Sequence, residues 1–292
     1  MSVVVVNYEA GRALLDFLVG IRDEAPQETV VVDNGSSDGS VERVRAVLPS
    51  VTVVEPGANL GYGAAANRGV AACSTPYVLV ANPDLEVRPG LLAVLGRVLD
   101  ADPGCALVGP LLRTPEGDRY PSARRFPSLP DAAGHALLGI LAPNNRFTRA
   151  YQRSDLDQGG LTVRDVDWVS GACFAVRRAA FDEVGGFDES YFMYSEDVDL
   201  CWRLRRRGWR VAYAPAAEVV HVQGLSTDRH PYRMIVEHHR SLWRFARRSQ
   251  EGWRRLLLPL VALGLALRTV LESADRLVGR RGRAAGAAEG TL

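Results

Sequence analysis

No lysine occurs anywhere in the 292 residues. That absence removes Schiff-base and pyridoxal-phosphate chemistry and the P-loop, all of which need a lysine amine. Cysteine is scarce too. Cys73, Cys105, Cys173 and Cys201 are widely spaced, with no CxxC pair. They suit a reducing compartment and supply no zinc or disulfide framework. There is no HExxH, no Ser-His-Asp arrangement and no internal repeat. A charged n-region followed by an apolar stretch is also missing at the start. Ser2 to Asn7 already reads as a strand, so no secretory signal is expected.

What remains is 47% hydrophobic and 24% charged, enough for one sizeable core and too little charge for global disorder. The net charge of +1 conceals an asymmetry. Residues 1–200 hold 17 Arg against 27 Asp and Glu, or −10; residues 201–292 hold 18 Arg against 7, or +11. An acidic body with a basic tail points to an anionic partner such as a membrane surface. Nothing resembles a helix that reads nucleic acid, and the acidic body argues against that partner.

Four short apolar runs, Val3–Val6, Val30–Val32, Val51–Val54 and Tyr77–Val80, alternate with helical patterns at 11–22, 39–47 and 63–72. β-branched runs without strict alternation are typical of strands buried on both faces of a parallel sheet. The order predicts an α/β domain with right-handed crossovers, whose ligands sit beyond the carboxyl ends of the strands. Further on, 197–207 and 232–248 look helical, and 211–213 and 218–222 look like two strands. Residues 113–160 are rich in Pro, Arg, Asp and Gly, with a helix expected at 131–141 and an insertion or lid around it.

The strand ends carry the polar residues. Asn7-Tyr8 ends the first run. Asp33 ends the second, before Asn34-Gly35-Ser36-Ser37-Asp38-Gly39. Asp33 reads either as part of a tight βα loop or as an acceptor for a base or ribose; Asp38 reads as a helix cap. Gly61-Tyr62-Gly63 fits the dinucleotide fingerprint formally but lies after the third strand, so a glycine-led helix start facing a phosphate or base is the better reading. Asn82-Pro83-Asp84 ends the fourth run. It is either an Asx-Pro turn or a carboxylate placed to hold a divalent ion. Glu196-Asp197-Val198-Asp199 sets three carboxylates at a helix start, more than capping requires. Tyr191 to Tyr194 would form a largely apolar wall that raises a carboxylate's pKa. His221, at a strand end, is a structural histidine or a further metal ligand beside Asp84. Arg203 to Arg207 read as a solvated helix end or as diphosphate ligands. His238 and His239 receive no chemistry.

Taken in order, Val3–Asn7-Tyr8, Asp33–Ser40, Asn59–Asn67, Asn82-Pro83-Asp84, Gly185-Gly186-Phe187-Asp188 and Glu196–Leu200 resemble the inverting glycosyltransferases of family 2. Within it the chain is most similar to bacterial rhamnosyltransferases that extend lipid-linked glycans. The resemblance covers about 2–245 and implies a GT-A fold, a mostly parallel sheet flanked by helices. It implies one domain over 1–245, with a nucleotide-sugar half (1–110) and an acceptor half (111–245). It also implies donor-binding roles for Asn7, Asp33, Asn59, Gly61, Asn67 and Asn82, with Arg203 or a neighbour on the diphosphate. Asp84, with His221, would hold Mg²⁺ or Mn²⁺; Asp197 would be the catalytic base; Trp168, Gly171 and Glu196 would border the acceptor. One position departs: the first aspartate of the DxD motif is Asn82, an NPD form that rhamnosyltransferase-like sequences also show. A neutral amide adds less to cation affinity.

The expected reaction moves rhamnose from dTDP-rhamnose to a polyprenyl-diphosphate-linked glycan, on the cytoplasmic face of the membrane. The alternatives are another nucleotide hexose, or a non-catalytic membrane-associated protein that binds sugar nucleotides. A dehydrogenase would need its glycine fingerprint at the first turn; a nucleotidyltransferase would need lysines. The tail, 246–292, reads as a basic amphipathic helix. Its apolar run 256–271 is 16 residues, short of a span, and contains Pro259 and Arg268, so an interfacial helix with a disordered end from 279 is expected.

Overall fold

A computed structural model of the chain describes residues 1–126, 160–222 and 231–289. The helix expected at 131–141, and most of the expected lid, lie outside the described residues.

The first half runs β1 (Ser2–Asn7), α1 (Ala13–Arg22), β2 (Glu28–Asp33), α2 (Ser40–Val47), β3 (Thr52–Val54), α3 (Tyr62–Ala71), β4 (Tyr77–Ala81), β5 (Leu85–Val87), α4 (Leu91–Ala101) and β6 (Cys105–Arg113). Next come the short strands β7 (Arg119–Tyr120), β8 (Ala123–Arg124), β9 (Arg164–Asp165) and β10 (Trp168–Val169), then β11 (Cys173–Arg177), α5 (Arg178–Glu183), α6 (Glu196–Arg206) and β12 (Arg210–His221). The chain finishes with α7 (Pro231–Ser249), a 3₁₀ turn (Gly252–Leu257) and α8 (Leu258–Glu289).

The main sheet has the order β3-β2-β1-β4-β11-β6-β12-β5. β1 lies parallel to β2 and β4, while β11 enters antiparallel between β4 and β6. Val4, Val6, Val30 and Val32 pack on one face of the sheet; Val3, Val5 and Val31 pack on the other. Both faces are therefore buried, which is why the strand sequences are apolar at every position. Each valine so enclosed contributes roughly 1.5–3 kcal/mol.

Two expectations change here. The strands expected at 211–213 and 218–222 are one strand, β12, parallel to β6 with a register shift between Ala214 and Glu218. The bulged intervening residues broke the apolar pattern in the sequence. In the tail, helical structure spans Gly252–Ala274, 23 residues with mean hydropathy 1.7, long and apolar enough by length and composition to cross a membrane. Pro259 sits in the first turn of α8, where a missing N–H costs nothing, so it does not shorten the segment. Helical backbone also continues to Glu289, past the expected onset of disorder.

Candidate active site

The topology gathers strand ends at one edge of the sheet. In register, Asn7 closes β1 beside Asp33 at the end of β2. β11 starts opposite the end of β4, Cys173 against Ala81, so 170–172 lie next to Asn82. His221 closes β12 beside Leu85, one residue after Asp84. A cleft of about 490 Å³ opens there, lined by Tyr8, Asn34, Asn59, Gly61, Asn82, Asp84, Trp168, Gly171, Glu196, Asp197 and His221 among others. Residues expected from six separate stretches of sequence thus face one space.

Asn59 and Gly61 are held by an amide that the sequence reading overlooked. Asn34 donates from Nδ2 to Asn59 Oδ1 (3.0 Å) and to Gly61 O (3.2 Å), and accepts from Leu60 N–H (2.8 Å). Gly61 has φ +87°, and a Cβ there would collide with Phe192 O, so only glycine fits this approach. Asn7 and Asp33 lie just beneath the lined surface, both buried and joined by a 2.8 Å hydrogen bond from Asn7 Nδ2 to Asp33 Oδ1. Asp38, expected as the helix cap, instead accepts from Ser40 N–H and Gly11 N–H and ties two loops, while Gly39 takes the cap position.

Besides Asn7 and Asp33, two further assigned residues, Asn67 and Arg203, do not line the cleft. Asn67 accepts from Phe187 N–H (2.8 Å) and donates to Phe187 O (3.0 Å), so it fastens α3 to the Gly185-Gly186-Phe187 turn. Arg203 donates from Nε to fully buried Asp199 (2.7 Å) and from Nη1 to Val184 O (2.7 Å). These bonds place it within the fold of α6, and it does not line the cleft. Asp199, four residues before it, is the third carboxylate of the acidic cluster and serves this ion pair.

Asp84 and His221 face each other, with His221 Nε2 3.3 Å from Asp84 Oδ1. Their side chains are 10% and 11% exposed. Asp84 Oδ1 and His221 Nδ1 are buried without a hydrogen-bond partner. An orphaned carboxylate oxygen beside an imidazole fits a divalent cation that takes its remaining ligands from phosphate and water. Among the described residues no group of three or more His, Cys, Asp or Glu could hold a metal ion, so the protein alone supplies a sparse site.

Glu196 and Asp197 begin α6 on the far side of the cleft. Tyr194 and Ser195 precede them with φ of +69° and +62°. Left-handed backbone in two consecutive non-glycine residues costs about 1–2 kcal/mol each, and strain of this kind concentrates at functional sites. Asp197 Oδ2 accepts from Gly171 N–H and Oδ1 from its neighbour Val198 N–H, both at 2.8 Å. Gly171 lies so close to Asp197 that a Cβ would stand 3.2 Å from the Asp197 Cβ. Tyr62 holds the same loop, donating from its hydroxyl to Gly171 O (2.5 Å). Burial raises Asp197 above the ordinary carboxylate range, opposed by those N–H donors and by the Arg124 charge. Glu196 is pushed up to about 8, first by burial and then by the Asp197 charge. Burial thus favours the protonated form of Glu196, while the two N–H donors and the Arg124 charge favour the charged form of Asp197. Phe192, Met193 and Tyr194 supply the expected apolar wall, while Tyr191 is buried behind it.

The sequence profile of "Glycosyltransferase like family 2" matches residues 1–249. The chain belongs to this family. It is 41% identical over 285 residues, 93% of this chain and 92% of the other, to N-acetylglucosaminyl-diphospho-decaprenol L-rhamnosyltransferase of Mycobacterium tuberculosis. It is 34% identical over 146 residues to rhamnosyltransferase WbbL of Escherichia coli, half of each chain. Among solved structures, the mannosyltransferase PcManGT of Pyrobaculum calidifontis, in complex with GDP-Man and Mn²⁺, superposes with TM-score 0.59 at 18% identity, covering 100% of this chain and 80% of that one. The GT-A fold expected from the sequence is thereby shown, and the chain is a glycosyltransferase.

Proposed function

We propose that the protein transfers rhamnose from dTDP-rhamnose to a hydroxyl of N-acetylglucosamine carried on a polyprenyl diphosphate, with inversion at the anomeric carbon. The observation that carries this reading is the single cleft onto which the Asp84–His221 pair and the Asp197 carboxylate both open. The 41% identical mycobacterial rhamnosyltransferase supports the choice of donor and acceptor.

Asp197, fixed by two backbone N–H groups, accepts the proton of the acceptor hydroxyl as its oxygen bonds to the anomeric carbon. The bond from that carbon to the donor diphosphate breaks in the same displacement. Asp84 and His221 would hold Mg²⁺ or Mn²⁺, with Asn82 beside them in the lining. Such an ion, when bound, neutralises charge that builds on the leaving diphosphate. Asn34, Asn59 and Gly61 shape the nucleotide end with Asp33 and Asn7 beneath, while Trp168, Gly171 and Glu196 border the acceptor. The 1–245 domain carries the whole reaction. The tail from 246 onward, chiefly α8, associates with an anionic membrane on its cytoplasmic side, where four buried free cysteines are at home.

Nucleoside diphosphate release should be followed across a panel of nucleotide sugars with Mg²⁺ or Mn²⁺ and a polyprenyl-diphosphate acceptor. Release from dTDP-rhamnose, abolished by chelator and by Asp84→Ala, is expected. Release from a different hexose donor alone would reassign the sugar. No release from any donor would leave a sugar-nucleotide-binding protein.

A further inference from the structure

Two cationic side chains line the cleft without a part in the chemistry above, Arg124 and Arg233. Arg124 closes β8, directly opposite Trp168 of β10 in the two-stranded pair. Its guanidinium carbon lies 5.1 Å from the Trp168 ring centroid and 5.8 Å from that of Tyr120. Its Nε donates to Pro121 O at 2.7 Å. Trp168 is itself pinned through Nε1 to Arg125 O (2.8 Å). Two rings and a backbone carbonyl therefore restrict the guanidinium before any ligand arrives, so little rotamer entropy is left to lose on binding.

The surroundings say which substrate Arg124 meets. β10 runs on to Gly171, whose N–H holds Asp197, and the charge of Arg124 is felt at Asp197. Tyr120 has the His221 ring as its other neighbour, at 6.1 Å. Arg124 thus stands between the base and the metal pair. Tyr120 belongs to β7, beside β6, whereas the nucleotide loops end β1 to β3 at the other end of the strand order. Arg233 lies elsewhere. Its guanidinium covers Phe192 (4.5 Å), and Phe192 O accepts from Tyr62 N–H against the Gly61 loop. It belongs to the donor side.

Both substrates of the proposed reaction bring a diphosphate. The reacting hydroxyl must sit at Asp197, and in an acceptor whose first sugar is linked to a polyprenyl diphosphate the phosphate is one pyranose ring away. Asp84 and Asp197 bring carboxylates to the cleft, so a second diphosphate needs a cation distinct from the one at Asp84 and His221. Resting on the reading of a diphosphate-linked acceptor, we infer that Arg124, backed by Trp168 and Tyr120, forms the subsite for the acceptor's diphosphate.

The test compares two acceptors bearing the same sugar and a chain of the same length, one joined through a diphosphate and one as a neutral alkyl glycoside. Full-length wild type, Arg124→Gln and Arg124→Lys are assayed with each, and thermal melts confirm folding. Wild type should prefer the diphosphate acceptor. In Arg124→Gln the KM for that acceptor should rise about 10- to 100-fold, the size of a lost charge-assisted hydrogen bond, and the preference should collapse. Donor KM should stay within about twofold, and Arg124→Lys should recover part of the preference. A donor KM that rises while acceptor KM holds would overturn the subsite. So would equal losses on both acceptors in both variants. Wild type that uses the two acceptors equally well would overturn it while leaving the transferase intact. Absence of transfer from every donor would overturn both.

Discussion

At Glu196 a carboxyl group is enclosed with one oxygen, Oε2, left without a partner and a second carboxyl group, Asp197, next in the chain. Its pKa moves from 4.5 to about 8 on folding. Below pH 4.5 both states are protonated and nothing is lost. Between 4.5 and 8 the folded state holds a proton that the unfolded state has released, so stability falls as pH rises; above 8 the loss is complete. Glu196→Gln mimics the protonated form and escapes this loss. The unfolding free-energy advantage of the variant, read from chemical denaturation, should therefore widen from pH 5 to pH 8, reaching on the order of a few kcal/mol. A gap that stays constant with pH would show that Glu196 is ionised in the folded protein. Much at this scale was legible from sequence. Asp84 and His221 stand together as expected, because strand ends with polar residues converge when the strands share a sheet. Arg203, expected on a diphosphate, pairs with Asp199 instead of lining the cleft; an arginine after an acidic cluster suits either a ligand or a partner. Its spacing of four from Asp199 was the available signal, since i and i+4 share a helix face.

α6 is the element that makes the site possible. Its first turn presents Glu196 and Asp197 to the cleft, and its second is anchored below the surface. Asp199 accepts from Arg203, and Arg248 of α7 approaches its other oxygen at 3.2 Å. Asp199→Ala should destabilise the protein by about 3–5 kcal/mol, because two arginines would lose a buried counter-charge, one of them almost fully enclosed. Chemical denaturation measures this directly; a change below about 1 kcal/mol would mean that the ion pair is dispensable. The positive φ of Tyr194 and Ser195 was invisible in the sequence, as neither residue signals a left-handed turn in the way glycine does. Arg124 escaped notice for a related reason. It belongs to a two-residue strand, too short for periodicity, and its significance comes from Trp168 forty-four positions away. β12 was read as two strands because a bulge interrupts an apolar run without ending it.

Across the whole molecule, the loops after β2 and β3 lie at one end of the strand order and the Asp84–His221 pair lies by the β12–β5 edge at the other, with both facing one cleft. The tail adds a surface of another kind. Leu256, Leu260, Leu263, Leu267, Val270 and Leu271 of the 3₁₀ turn and α8 are each more than half exposed, while Arg268 and Glu272 pair on a half-buried face. An apolar face turned outward, flanked by Arg254 and Arg255, suits a bilayer rather than water. Replacing Leu260, Leu263 and Leu267 with Asp should release the protein from anionic vesicles in a sedimentation assay. Undiminished binding would assign that face to something other than lipid. The apolar run 256–271 undercounts this segment because the helical structure begins at Gly252 and carries on to Ala274 across less apolar flanks.

The proposed transfer depends on Asp197 as its base. Turnover of dTDP-rhamnose with the lipid-linked acceptor should be measured for wild type and Asp197→Asn at matched fold stability, with donor binding determined separately. The amide keeps the contact to Gly171 or its equivalent shape but cannot take a proton. A fall in turnover of about 10²- to 10⁴-fold with donor affinity retained is the predicted result. Turnover within a few-fold of wild type would contradict the assignment and move the base to another group in the cleft.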